Sequence, residues 1–119
     1  MSFFKRFVYA FEGIVYLIKK DRNFSLHLIF LAILILLGLY FEINVNEWLS
    51  VLICSALVLS LEAINSAIER FADHLHPERH KEIKIVKDVA SGAVLIAAIF
   101  SFIIALLVFL PKIYSLLNF

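Results

Sequence analysis

From Trp48 to Asp73 the chain reads WLSVLICSALVLSLEAINSAIERFAD. The apolar run Trp48–Leu61 suits a membrane helix, and the residues after it add carboxylates and an amide to the same helical pattern. At about 100° per residue, the polar positions share one helical face: Glu62, Asn65, Ser66, Glu69 and Asp73. Acidic groups at membrane depth are costly and normally face a bundle interior or a watery cavity. The stretch therefore predicts a transmembrane helix with a functional polar stripe. A solvated helix end beyond the bilayer would explain Asp73 and at most Glu69 besides, but it explains Glu62 poorly.

The composition also indicates a membrane protein. Hydrophobic residues make up 63% of the 119 residues, the mean hydropathy is +0.97, and only 18% of residues are charged. A soluble domain of this length could not bury so much apolar surface. We therefore predict an all-α membrane protein with a single domain, residues 1–119, and we expect no nucleic-acid partner.

Three apolar segments predict three transmembrane helices, at about residues 25–41, 48–70 and 86–110. The second must continue past Glu62 to reach the roughly 20 residues that span a bilayer. The third contains the uncharged run Val89–Leu110 and is the clearest. Proline disfavours helix at the residue before it, so Pro77 is expected to end the second helix after Asp73.

Basic residues divide between the two sides of these spans. Of the 11 Lys and Arg residues, 5 precede residue 25 and 5 lie from Arg70 to Lys87, around the second connection, and only Lys112 lies elsewhere. By the positive-inside rule, the N-terminus is predicted to be cytoplasmic and the C-terminus outside.

The first 20 residues predict a different kind of helix. Apolar residues recur at intervals of three and four: Phe4, Phe7, Phe11, Ile14 and Ile18. This spacing is typical of an amphipathic helix lying on the membrane surface. A cleaved signal peptide is not expected, because Glu12 interrupts the apolar core.

Charged residues from separate segments are expected to meet at the cytoplasmic face. Asp21 precedes the first span, Glu69 ends the second, and Lys87 and Asp88 begin the third. Magnesium is usually held by one or two carboxylates plus substrate phosphates, and a triphosphate needs cations. Glu62 lies about 10 Å further along its helix on the lipid side, where it can accept a proton from a lipid hydroxyl. The pattern predicts phosphoryl transfer from a cytoplasmic nucleotide to a membrane alcohol.

Other interpretations remain open on these residues alone. The chain has 3 glycines and neither of the glycine-rich phosphate loops of soluble kinases. His74, His76 and His80 suggest zinc only weakly, because a proline interrupts their spacing. A small oligomeric transporter or proton pathway would also use intramembrane carboxylates. An assembly subunit without activity would not need the polar stripe.

A longer motif narrows these alternatives. Glu62-x-x-Asn65-Ser66-Ala67-Ile68-Glu69-x-x-x-Asp73, followed by Lys87-Asp88-x-x-Ser91, resembles the signature of the prokaryotic integral-membrane diacylglycerol kinases and the related undecaprenol kinases. The resemblance covers nearly the whole chain. It implies a homotrimer in the bacterial inner membrane, with a surface helix and three transmembrane helices per protomer. It also implies use of MgATP, active sites shared between protomers, and diacylglycerol or undecaprenol as the acceptor.

The resemblance further implies roles for individual positions. Glu62 would be the catalytic base and a lipid contact, and Asp21 and Glu69 would be the metal-linked carboxylates. The implied nucleotide-binding positions are Tyr9, Asn65, Glu69, Glu78, Arg79, His80, Lys87 and Asp88. Ser91 and the surface helix would contact the lipid.

Two details distinguish this chain within the resemblance. Asp21 stands where the family usually has glutamate, and it reaches one methylene less towards a metal. The pattern from Asn23 to His27, Asn-Phe-x-x-His, is more similar to the undecaprenol kinases than to the enterobacterial diacylglycerol kinases.

Overall fold

The computed structural model describes residues 2–78 and 80–117, which form four α-helices. They are α1 (Phe3–Lys20), α2 (Arg22–Tyr40), α3 (Val45–Leu75) and α4 (Lys81–Leu116). Helices α2, α3 and α4 are long and apolar enough to cross a membrane. The prediction of an all-α protein with three apolar spans is therefore confirmed.

Short polar side chains begin these helices. Asp21 is the single residue between α1 and α2, and its carboxylate accepts a hydrogen bond from the backbone N–H of Phe24 at 3.1 Å. At the start of α3, Asn44 and Glu47 each accept a bond from the other's backbone N–H, at 2.9 and 3.1 Å. Such caps satisfy backbone donors that the first helical turn leaves unpaired.

The end of α3 lies slightly beyond its predicted position. The helix continues through Asp73 and His74 to Leu75, and His76 adopts φ −138° and ψ 86°. Proline restricts only the residue directly before it, so Pro77 removes His76 from the helix and no earlier residue. The last turn of α3 therefore carries Asp73 on regular helix, which fixes its direction relative to Glu69.

Close packing joins the helices at the end remote from the polar stripe. A Cβ atom added to Gly38 on α2 would lie 2.6 Å from the ring of Trp48 on α3, so only glycine fits there. Beside this contact, a buried apolar cluster joins the α2–α3 turn to α3 and α4: Ile43, Val51, Val108 and Phe109. Lys112 on α4 and Glu47 on α3 form an ion pair at 3.2 Å. These contacts fix the relative rotation of the long helices.

Much of the apolar surface is exposed in the single chain. In the most hydrophobic parts of α2, α3 and α4, only 11%, 28% and 22% of residues are buried. The large apolar side chains of α1 are exposed as well, including Phe3, Phe4 and Phe11. Such surfaces are suited to lipid or to other protomers. The location of α1 on the membrane surface stays a prediction.

Candidate active site

The polar stripe of α3 faces a cleft that also receives the start of α2 and the end of α1. We call this the acidic cleft, and these residues line it: Tyr16, Lys20, Asp21, Arg22, Asn23, Glu62, Ser66, Glu69, Arg70 and Asp73. Four of its side chains are carboxylates, three from α3 and one from Asp21 between α1 and α2. The sequence predicted that Asp21 and Glu69 meet at the cytoplasmic face with Glu62 deeper along α3, and the structure places all three around a common space.

Within the acidic cleft, the stripe is most deeply buried at its membrane end. Glu62 is 4% exposed and Asn65 is 6% exposed. The amide Nδ2 of Asn65 donates to Oε1 of Glu69 at 3.3 Å, which orients that carboxylate. The amide Oδ1 of Asn65 is buried and has no hydrogen-bond partner among the described residues. A buried acceptor without a donor is costly, so this oxygen is suited to a donor supplied by a ligand or another chain.

Asp21 has two tasks in the structure. As the cap of α2 it accepts from the backbone N–H of Phe24, and it also lines the acidic cleft with Glu62. Aspartate is among the residues preferred at helix N-caps, whereas the longer glutamate is not. Capping of α2 therefore gives a structural reason for aspartate rather than glutamate at position 21. The sequence pattern did not indicate this role.

A second cleft lies between the end of α3, the following loop and the start of α4. We call it the loop cleft, and it has a volume of about 630 Å³. It is lined by Asp73, His76, Pro77, Glu78, His80, Lys81, Ile83, Lys84, Lys87 and Asp88. Asp73 lines both clefts, so the two spaces adjoin at this residue.

Two ion pairs organise the cations of the loop cleft. Nζ of Lys87 lies 2.7 Å from Oδ1 of Asp73, joining α4 to α3. Nζ of Lys84 lies 2.6 Å from Oδ2 of Asp88, one turn along α4. Lys84 and Asp88 lie four residues apart on α4, and such residues share a helical face. The partner of Lys87 could not be predicted in this way, because Asp73 belongs to another helix.

Some of the predicted site residues lie apart from both clefts. Tyr9 is exposed on α1, and Ser91 is exposed on α4, and neither lines the acidic cleft or the loop cleft. Arg79, a predicted nucleotide contact, lies outside the described residues. The structure therefore brings together Asp21, Glu62, Asn65 and Glu69 in one place, and in the other it gathers four further predicted residues: Glu78, His80, Lys87 and Asp88.

The structure also adds residues that were not predicted as site residues. Asp73 belongs to the same helical face as Glu62 and Glu69, so periodicity alone offered a signal for it. Arg70 and Tyr16 offered none: the guanidinium carbon of Arg70 on α3 lies 4.9 Å from the ring centroid of Tyr16 on α1. This contact depends on how α1 lies against α3.

A magnesium ion bound mainly through phosphate oxygens fits this arrangement. Across residues 2–78 and 80–117, no group of three or more acidic, histidine or cysteine side chains is close enough to hold a metal by itself. Magnesium commonly takes one or two protein carboxylates, with water and substrate phosphates completing its coordination. Asp21 and Glu69 in the acidic cleft meet that requirement in number and in chemistry.

Comparison with known proteins agrees with this chemistry. Residues 8–109 match the family described as prokaryotic diacylglycerol kinase. An undecaprenol kinase from Bacillus subtilis is 38% identical over 110 residues, which cover 92% of this chain and 89% of the relative. A diacylglycerol kinase from Synechocystis is 33% identical over 93% of this chain and 64% of its own length. One from Helicobacter pylori is 32% identical over 82% of this chain and 76% of its own length. The chain thus belongs to the prokaryotic diacylglycerol kinase family and is a membrane lipid kinase that uses ATP.

Proposed function

We propose that the protein transfers the γ-phosphoryl group of ATP to the hydroxyl group of undecaprenol, or of diacylglycerol, with Glu62 as the general base. The observation that carries the proposal is the burial of Glu62 in a cleft that it shares with Asp21 and Glu69. A carboxylate at that depth needs a functional reason, because burying an acidic group in a membrane helix is costly. Proton acceptance from a lipid hydroxyl gives such a reason.

The proposed step is a single displacement. The lipid oxygen forms a bond to the γ-phosphorus of ATP, and the bond from that phosphorus to the β–γ bridging oxygen breaks. The hydroxyl proton passes to Glu62, and ADP leaves. When Mg²⁺ is bound, Asp21 and Glu69 would hold it, and it would neutralise charge on the phosphates. Asn65 orients Glu69 for that task through its 3.3 Å hydrogen bond.

We assign the nucleotide to the loop cleft and its junction with the acidic cleft. Lys87 supplies a cation at this junction, and Glu78, His80 and Asp88 line the remainder. The volume of about 630 Å³ falls within the range of small-molecule sites. In this assignment the γ-phosphate lies near Glu69 and the adenosine end towards the loop, since Asp73 lines both clefts.

We further propose that the active form is a homotrimer whose sites combine residues of different protomers. The exposed apolar surface of each span supports an assembly, and so does the unpartnered oxygen of Asn65. Tyr9 and Ser91 lie apart from the two clefts of their own protomer, so a partner's cleft is where they would act. The charge distribution supports a cytoplasmic N-terminus, with both clefts on the cytoplasmic side.

Of the two acceptors, we propose undecaprenol as the preferred one. Two observations support it. The first is that the chain is 38% identical to an undecaprenol kinase but 33% and 32% identical to the two diacylglycerol kinases compared. The Asn23–His27 pattern supports the same branch.

The test supplies purified protein with MgATP and either undecaprenol or dioleoylglycerol at equal mole fraction in mixed micelles. Formation of labelled lipid phosphate is measured, and we expect the higher kcat/KM with undecaprenol. Glu62→Gln protein serves as the matched control for the purity of the preparation. Faster phosphorylation of dioleoylglycerol would contradict the acceptor assignment. Failure to phosphorylate either lipid would contradict the function itself.

A further inference from the structure

Arg70 is a cation that the proposed reaction leaves without a task. It follows Glu69 on α3 and lines the acidic cleft with Asp73. In the part of the chain that the structure describes, its guanidinium forms no ion pair with either carboxylate. It lies instead over the ring of Tyr16, 4.9 Å from the centroid. This cation–π contact stabilises the positive charge of Arg70, but it leaves the guanidinium N–H donors without an anionic partner.

Arg70 also stands at the boundary between two spaces. Together with Tyr16 and Ser66 it lines both the acidic cleft and a second depression between α1 and α3, which we call the α1–α3 groove. The other residues of this groove are small or apolar: Gly13, Ile14, Leu17, Ala63 and Ala67. A Cβ atom added at Gly13 would meet nothing within 4 Å, so the groove is open there.

We propose that Arg70 binds the phosphomonoester group of the lipid product, where the acidic cleft meets the α1–α3 groove. The inference rests on the lipid kinase function proposed above. A guanidinium binds phosphate through paired, charge-assisted hydrogen bonds, whereas an uncharged lipid alcohol offers it no anion. The small and apolar lining of the α1–α3 groove suits the hydrocarbon part of the same molecule. Arg70 therefore distinguishes the product from the acceptor.

Tyr16 acts in this arrangement as a positioning residue. An unrestrained arginine at this place would lie within reach of Asp73, three residues after it on the same helix. Stacking over Tyr16 holds the guanidinium on the α1 side of the cleft, without an ion pair to Asp73. The contact also ties α1 to the α3 residues that border the reacting groups. The aromatic ring is the part that this role requires, and the hydroxyl is not.

Arg70→Met is the variant that tests the proposal. Dihexanoylphosphatidic acid is added as a competitor of the acceptor, and its inhibition constant is compared with the KM values for acceptor and ATP. We expect the inhibition constant to rise about tenfold, while both KM values stay within about twofold. Arg70→Lys should show a smaller rise in the inhibition constant, because lysine keeps the positive charge but lacks the paired N–H donors of the guanidinium. Lys19→Met, which removes an exposed cation from the end of α1, is the control for net charge and should leave the inhibition constant unchanged.

The role of Tyr16 is tested by the same measurement. Tyr16→Phe should retain the wild-type inhibition constant, and Tyr16→Leu should raise it. An unchanged inhibition constant in Arg70→Met protein that still turns over would overturn the inference and leave the lipid kinase function intact. A rise in the KM for ATP alone would assign Arg70 to the nucleotide instead.

Phosphatidylglycerol, a phosphodiester, provides the second comparison. Because the proposal concerns a phosphomonoester, Arg70→Met should not alter the effect of phosphatidylglycerol on activity. If Arg70→Met weakened the effects of both lipids on activity equally, Arg70 would be a general contact for anionic lipid. That result would overturn the product site. Binding of dihexanoylphosphatidic acid can also be measured by calorimetry, which requires no turnover. A lower affinity of Arg70→Met protein for this lipid would support the site even without an active preparation.

Discussion

Nζ of Lys87 on α4 lies 2.7 Å from Oδ1 of Asp73 on α3, and this ion pair joins the acidic cleft and the loop cleft. Asp73 lines both the acidic cleft and the loop cleft, whereas Lys87 lines the loop cleft. The pair bridges the last turn of one helix and the beginning of the next across the connecting loop. Asp73 thus holds Lys87 at the place where we assign the phosphates.

The first prediction follows from that pair. Lys87→Met should raise the KM for ATP about tenfold, because a charge-assisted contact to phosphate is lost at the junction of the clefts. Lys84→Met removes the same charge from the same helix face, but its side chain is 77% exposed against 35% for Lys87. A solvated cation contributes less, so the effect of Lys84→Met should be smaller. Equal effects of the two changes on the KM for ATP would contradict the assignment of Lys87.

Glu62 provides a prediction about the chemical step. Glu62→Gln keeps the shape of the side chain but removes proton acceptance, so kcat should fall by about 10²-fold or more. Nucleotide affinity, measured by equilibrium binding, should change little. Glu42→Gln on the α2–α3 turn is the matched control, and its kcat should equal that of the wild type. Near-normal turnover of Glu62→Gln, with phosphoryl transfer limiting the rate, would remove Glu62 from the role of base.

Two substitutions of Asp21 distinguish the role of its negative charge from its role as the N-cap of α2. Asparagine caps helices about as well as aspartate, so Asp21→Asn should keep thermal stability and raise the magnesium concentration needed for half-maximal activity. Glutamate keeps the charge but caps poorly, so Asp21→Glu should retain the magnesium dependence and lose about 1 kcal/mol of stability. Magnesium titrations and thermal unfolding in detergent measure the two effects. Glu69→Gln should resemble Asp21→Asn in its magnesium dependence. If all three variants titrate like the wild type, neither carboxylate binds the metal.

The shared site predicts recovery of activity in mixed assemblies. Glu62→Gln and Tyr9→Ala proteins, each carrying a different tag, are co-expressed, and hybrids are isolated by purification on both tags. If Tyr9 acts in a partner's cleft, some sites in each hybrid contain both wild-type residues, and partial activity should return. Each variant purified alone provides the baseline. Inactive hybrids would mean that both residues act within one chain, and an active monomer in detergent would refute the oligomer.

Much of the fold could be predicted from the sequence, for reasons that concern each helix separately. The long apolar runs in the sequence correspond to α2, α3 and α4. A helix that spans a bilayer must form its backbone hydrogen bonds within itself and present apolar side chains to the lipid. The spacing from Glu62 to Asp73 gave the polar face of α3, and the same rule paired Lys84 with Asp88 on α4. Within one helix, position along the chain fixes direction around the axis.

Contacts between helices were decided only by the tertiary structure. Whether Lys87 meets Asp73 depends on the rotation and tilt of α4 against α3, which packing at the far end of the bundle sets. Arg70 lies over Tyr16 because of how α1 crosses α3. The sequence by itself determined which residues are polar, at what depth and on which face of their own helix. The tertiary structure decided which of those faces meet, since that depends on side-chain packing between segments distant in the chain.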